Sequence, residues 1–158
     1  MYEMAELEQI DGSLPLSELD NEDLALIHRH WMWGNQQRAE FDRRIAEGTQ
    51  APETGEPLAG ELAGFMLAWY GLLWSVVECL TVDRSIEFLD PLAADIESMS
   101  DLLRRCRNSV MHVPKDGSYY DDRITAMLEH EGAPEKIRLI HASLGQLLVR
   151  EMRRRRAD

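Results

Sequence analysis

In the segment Arg107-Asn108-Ser109-Val110-Met111-His112, an arginine, an asparagine and a histidine fall within six residues of a chain otherwise poor in candidate catalytic groups. An arginine holds a phosphate through two parallel hydrogen bonds, and a histidine exchanges a proton near neutral pH. Together they suit phosphodiester chemistry. His112 would be the acid or base, Arg107 the cation facing the charge that develops on phosphorus, and Asn108 the group that orients phosphate or imidazole. Arg104 and Arg105 add positive charge for a substrate, and Tyr119 and Tyr120, beyond Pro114, offer rings on which a base could stack. A purely structural account competes with this one. It has Arg107 paired with a neighbouring acid, His112 at the negative end of a helix, and the tyrosines packed under a turn.

The remaining candidates are weaker. His28 and His30 are two positions apart and do not share a helix face, so they make a poor metal pair; His130 and His141 show no partner pattern. Cys79 and Cys106 are the only cysteines, without zinc or disulfide spacing, which fits a reducing cytoplasm. No cluster of carboxylates or of His and Cys suggests a catalytic metal or another cofactor.

Helices must position the segment. The spacing of Leu24, Ile27, Trp31, Phe41 and Ile45 predicts a first helix over 21–47, capped by Asp20 and weakened in the middle by Gly34 and Asn35. After the Gly/Pro-rich connector 48–57, residues 58–82 form an apolar second helix. Its core, from Leu62 to Val77 between Glu61 and Glu78, is about sixteen residues long, short of the roughly 20 that span a bilayer. It reads as the buried centre of a bundle and not as a membrane segment. A third helix follows Pro91 with Leu92, Ile96, Met99, Leu103, Cys106 and Val110 on one stripe, and ends near His112 because Pro114 disfavours helix at Val113. A short fourth helix is expected from 121 or 122 to 130. The fifth runs from Pro134 to the C-terminal arginines, with Ile137, Ile140, Leu144, Leu147, Leu148 and Met152 inward. No alternating strand pattern competes, so the fold class is all-α: a single domain, an antiparallel bundle of four to five helices over 20–156, preceded by a segment 1–19.

The chain of 158 residues carries a net charge of −12. Residues 1–60 hold 13 acids and 4 bases, and the rest 16 and 13. Such acidity argues against loose, charge-driven binding of long nucleic acid, although not against a small basic site. Arg150 and Arg153 to Arg156 form a second basic cluster, read as a solvated helix end that complements the helix dipole.

The Arg107-Asn108-x-x-x-His112 segment resembles the Arg-x4–6-His signature of the HEPN superfamily (higher eukaryotes and prokaryotes nucleotide-binding domain). Asn108 matches the polar residue that commonly follows the arginine, and Arg105 to His112 falls within the looser spacing. The motif covers 107–112 only; the architecture agrees over about 20–156. The resemblance implies a HEPN-like helical bundle acting as a metal-independent endoribonuclease that cleaves RNA by attack of the 2′-hydroxyl. It also implies a place in a toxin–antitoxin or phage-defence system, with an antitoxin or regulatory protein as partner. The alternative is a non-catalytic bundle binding RNA, a nucleotide or a protein. A third reading is a plain helical interaction protein in which the motif is accidental.

One rigid helix turns about 100° per residue, which puts Arg107 and His112 roughly 140° apart. Transesterification also benefits from two proton-transfer groups, whereas one motif supplies one histidine. Both points lead to the expectation of a homodimer with a site composed from two chains, as HEPN proteins commonly build it.

Overall fold

The computed structural model of the chain describes residues 16–47, 56–111, 130 and 132–157. They form four helices and, among the described residues, no strand. The first, α1 (Asn21–Ala46), starts at Asp20, whose carboxylate accepts the backbone N–H of Asp23 at 2.7 Å. Glu22 and Asp23 in the first turn, and Arg43 and Arg44 in the last, complement the helix dipole. Gly34 does not interrupt it. A Cβ there would meet Leu72 at 3.5 Å, an ordinary contact, so the position faces α2 without requiring glycine. Leu24 and Ile27 are buried as the spacing predicts, but Ile45 is 56% exposed. At that end Arg44, not Ile45, meets the second helix, its guanidinium 5.4 Å from the Phe65 ring.

The second helix, α2 (Glu56–Glu78), begins two residues before the expected position and continues into a π-helical turn, Cys79–Asp83. Trp69, Tyr70, Leu73, Val76, Val77 and Leu80 are buried, which makes α2 the apolar centre that its composition predicts. By length and composition alone Leu62–Asp83 could cross a membrane; here it forms much of the core. Pro91, joined to Asp90 by a cis bond, precedes α3 (Leu92–Met111), which buries Ile96, Met99, Leu103 and Cys106. The last helix, α4 (Ala133–Ala157), buries Ile137, Ile140, Leu144 and Leu148. The short helix expected over 121–130 lies outside the described residues, apart from His130.

Cross-helix contacts give the register. Arg84 grips Asp23 at 2.6 and 2.7 Å, and Trp69 stands 6.5 Å from the Phe41 ring, so α1 and α2 run antiparallel. Arg138 holds Asp42 while Arg155 reaches Asn21, so α1 and α4 are antiparallel too. The latter two pack tightly at Gly145, where the Trp31 indole lies against the α4 backbone and a Cβ would fall 2.2 Å from Cζ2.

Gly145→Ala must therefore displace Trp31 and should cost about 1–3 kcal/mol. Gly64→Ala, at an exposed helical position with nothing within 4 Å of the new Cβ, should instead stabilise by up to about 1 kcal/mol. Urea denaturation of the two variants checks both signs; equal effects would contradict the packing at Trp31.

Candidate functional site

Arg107 is placed by a close approach of two helices. Gly71 of α2 faces the α3 backbone, where a Cβ would come 3.1 Å from the Arg107 Cα. From that crossing the Arg107 side chain runs along α2 to Glu78, two turns further on. The guanidinium meets the carboxylate end-on, Nη1 to Oε2 at 3.3 Å and Nη2 to Oε1 at 3.3 Å. These contacts are longer than the 2.7–2.9 Å or so of a tight charge-assisted pair. Both side chains are about one-third exposed, at 30% and 32%. Part of the Arg107 side chain thus reaches solvent, whereas Nε is buried and finds no acceptor among the described residues. Trp74, between Gly71 and Glu78 on α2, likewise has a buried Nε1 without an acceptor there.

The pairing of Arg107 with an acid, one of the two alternatives open in the sequence, is present. Sequence reasoning took Glu78 only as the flank of an apolar helix; a lone carboxylate at the end of such a stretch was the available signal. Asn108 is half-buried beside Arg107. His112, Tyr119 and Tyr120 lie outside the described residues. Arg104 and Arg105 are exposed and both turn back to Asp101, at 2.6 and 2.7 Å. The hydrogen bond from Arg104 holds the Asp101 carboxyl below its usual range. These two arginines are thus engaged on their own helix and not gathered around the Arg107 guanidinium.

A second polar cluster was not legible beforehand. His141, which shows no partner pattern in the sequence, is buried between α1, α2 and α4. Its Nδ1 accepts from the Trp69 indole at 3.2 Å, and its Nε2 stands 3.2 Å from Asn35 Oδ1. Those contacts define a neutral ring protonated on Nε2. The Trp31 indole donates to the His141 carbonyl at 2.9 Å and stacks on its ring with centroids 4.9 Å apart. Asn35 Oδ1 also accepts from Arg38, which pairs with Asp42, and Asp42 is held in turn by Arg138. Partners in α1 and α2 lie far from His141 in the sequence, which is why spacing within α4 could not show them.

The thiols offer no nucleophile near neutral pH. Burial pushes Cys106 up to about 12 and raises Cys79 as well. Among the described residues no group of three His, Cys, Asp or Glu is arranged to hold a metal ion. The C-terminal arginines are only partly the solvated end that the sequence suggests. Arg150, Arg153 and Arg156 are exposed, but Arg154 and Arg155 pair with the fully buried Glu151. Arg155 also donates to the carbonyls of Leu16 and Leu19, fastening the chain where it enters α1.

Burial, then the nearby Arg38 and Arg138 charges, push the His141 pKa down to about 4. Well above pH 6.5 the ring is neutral in both folded and unfolded chains and contributes no pH dependence. As pH falls from 6.5 towards 4 the unfolded chain takes up a proton that the folded one refuses, so stability drops. The expected loss is about 2 kcal/mol between pH 6.5 and 5, at 1.36 kcal/mol per unit. Urea midpoints across that range should show it in the wild type and not in His141→Phe; parallel curves would contradict a buried neutral ring.

No family model, curated protein or solved structure matches the chain.

Proposed function

We propose that the chain is a HEPN-like, metal-independent endoribonuclease whose reaction centre includes Arg107, Asn108 and His112. The supporting observation is the setting of Arg107: a partly exposed side chain anchored at a helix crossing, its guanidinium held by one carboxylate at long distance. A pair this exposed contributes about 1 kcal/mol or less, so a phosphodiester can displace the carboxylate. His112 lies five residues on in the sequence and is the proton-transfer group of this reading. In this reading Arg107 neutralises the pentacoordinate phosphorus and Asn108 orients the phosphate, while Arg104, Arg105, Tyr119 and Tyr120 contribute to RNA binding.

One observation favours a second reading, a non-catalytic bundle that binds RNA, a nucleotide or a protein. Glu78 already neutralises Arg107, as in a purely structural ion pair. An antitoxin-like partner is compatible with either.

Incubating a labelled RNA pool with the purified chain separates the two. The nuclease reading predicts cleavage that survives EDTA, products with 2′,3′-cyclic phosphate and 5′-hydroxyl ends, and no cleavage at a 2′-deoxy position. His112→Ala and Arg107→Ala should each lower the rate by about 10²–10⁴-fold, with helix content by circular dichroism unchanged. Cleavage undiminished in His112→Ala, or dependent on a divalent ion, contradicts this mechanism; an inactive wild type leaves the binding reading.

A further inference from the structure

A tryptophan or arginine N–H can only donate, so one that is buried without an acceptor costs the folded chain free energy until something brings an oxygen to it. Among the described residues two such groups remain, Trp74 Nε1 and Arg107 Nε, and both lie where α2 and the Arg107 side chain run together. We infer that Trp74 is a further phosphate-binding residue: its indole N–H and the Arg107 guanidinium together receive a tetrahedral phosphate that takes the place of the Glu78 carboxylate. The inference rests on the reading of Arg107 as a phosphate-binding cation and on no step of cleavage.

Three observations carry it. Gly71, Trp74 and Glu78 are spaced three and four residues apart, so they share one face of α2, and Arg107 spans that face from its backbone at Gly71 to its guanidinium at Glu78. Trp74 and Glu78, one turn apart, have Cβ atoms about 5–6 Å from each other. An oxygen that occupies the carboxylate's position on Arg107 is therefore a neighbour of the indole. Second, Trp74 is 7% exposed and its Nε1 has no acceptor, whereas the Trp31 and Trp69 indoles donate to the His141 carbonyl and Nδ1 at 2.9 and 3.2 Å. The chain thus provides acceptors for the two indoles that knit the bundle and none, among the described residues, for the one beside Arg107. Third, Glu78 is 32% exposed and its contacts with Arg107 are long, 3.3 Å each, so it can swing away without unfolding α2.

The donor set selects the ligand. Once Glu78 has turned out, Trp74 and Arg107 offer donors only, so a cation finds no partner there. A carboxylate has two oxygens in one plane, and Glu78 shows what that allows: both face the η nitrogens and neither reaches the indole. A phosphate carries its oxygens at tetrahedral corners. One can stay on the guanidinium while another, out of the carboxylate plane, accepts from Trp74. The phosphodiester of a nucleic acid and the phosphate of a free nucleotide share this chemistry.

The test follows the indole N–H signals of the isotope-labelled full chain by NMR during titration with three probes: a 2′-O-methyl dinucleotide containing one phosphodiester, inorganic phosphate, and acetate. The Trp74 signal, assigned through its own side-chain protons, should move downfield and saturate with a phosphate probe, while those of Trp31 and Trp69, already hydrogen-bonded, move little. Saturation at lower concentration by the dinucleotide identifies a nucleic-acid backbone as the source of the phosphate, and by inorganic phosphate a free nucleotide or phosphate; either supports the site. Trp74→Phe, which keeps an aromatic ring and drops the N–H, should bind the better probe about 10-fold or more weakly. A Trp74 signal unmoved at saturation, with affinity lost in Arg107→Ala, overturns the inference and leaves the Arg107 reading standing. Acetate shifting Trp74 as far as phosphate does overturns it as well, because the ligand is then not selected for its tetrahedral shape. Binding of neither phosphate probe, or binding unchanged in Arg107→Ala, removes the Arg107 reading and this inference with it.

Discussion

The candidate site depends on the crossing of α2 and α3 at Gly71. With hydrogen in place of a side chain there, the Arg107 backbone approaches to a distance at which a Cβ would be crowded, 3.1 Å from its Cα. That crossing fixes where the Arg107 side chain begins. Because side chains in a helix lean towards its N-terminus, the guanidinium is carried along α2 to the level of Glu78. Burial of Nε against the helices restrains the arm, while about a third of the side chain stays exposed. Restraint together with partial exposure is what an anion-binding arginine requires.

On the other side of α2, His141 fixes the remaining geometry. Trp69 and Asn35 satisfy both of its ring nitrogens, and Trp31 covers its ring, so three helices share one polar knot within an apolar core. A satisfied network of this kind specifies register, since sliding any helix would leave a buried donor or acceptor unpaired. Its depressed pKa is a consequence of that burial and not a sign of catalysis. The same feature that in a cleft would mark a reactive histidine here marks a structural one.

Much of the fold could be read directly from residue spacing. The caps and stripes of α1, α3 and α4 follow from Asp20, from the repeat Ile96, Met99, Leu103 and Cys106, and from Ile137, Ile140, Leu144 and Leu148. Each of these signals is local, because helix periodicity is expressed within a few turns. What escaped was non-local. The Glu78–Arg107 pair spans 29 positions and the Trp31–His141 contact 110, and nothing in either neighbourhood announces the other. Arg155 is the same lesson at a helix end: composition presents it as one of several solvated cations, whereas it ties the entry to α1 through the carbonyls of Leu16 and Leu19. The motif itself was legible as a type and spacing of residues, but its partner acid was not.

The account turns on Arg107 binding a phosphodiester in exchange for Glu78. The most direct measurement is a titration of the isotope-labelled chain with a short RNA blocked by 2′-deoxy at every position, following the Arg107 Nε–H and the His112 ring by NMR. The account predicts saturable shifts at both residues. Shifts confined to Arg104, Arg105 or the C-terminal arginines, with the Arg107 signal unmoved at saturation, would contradict it.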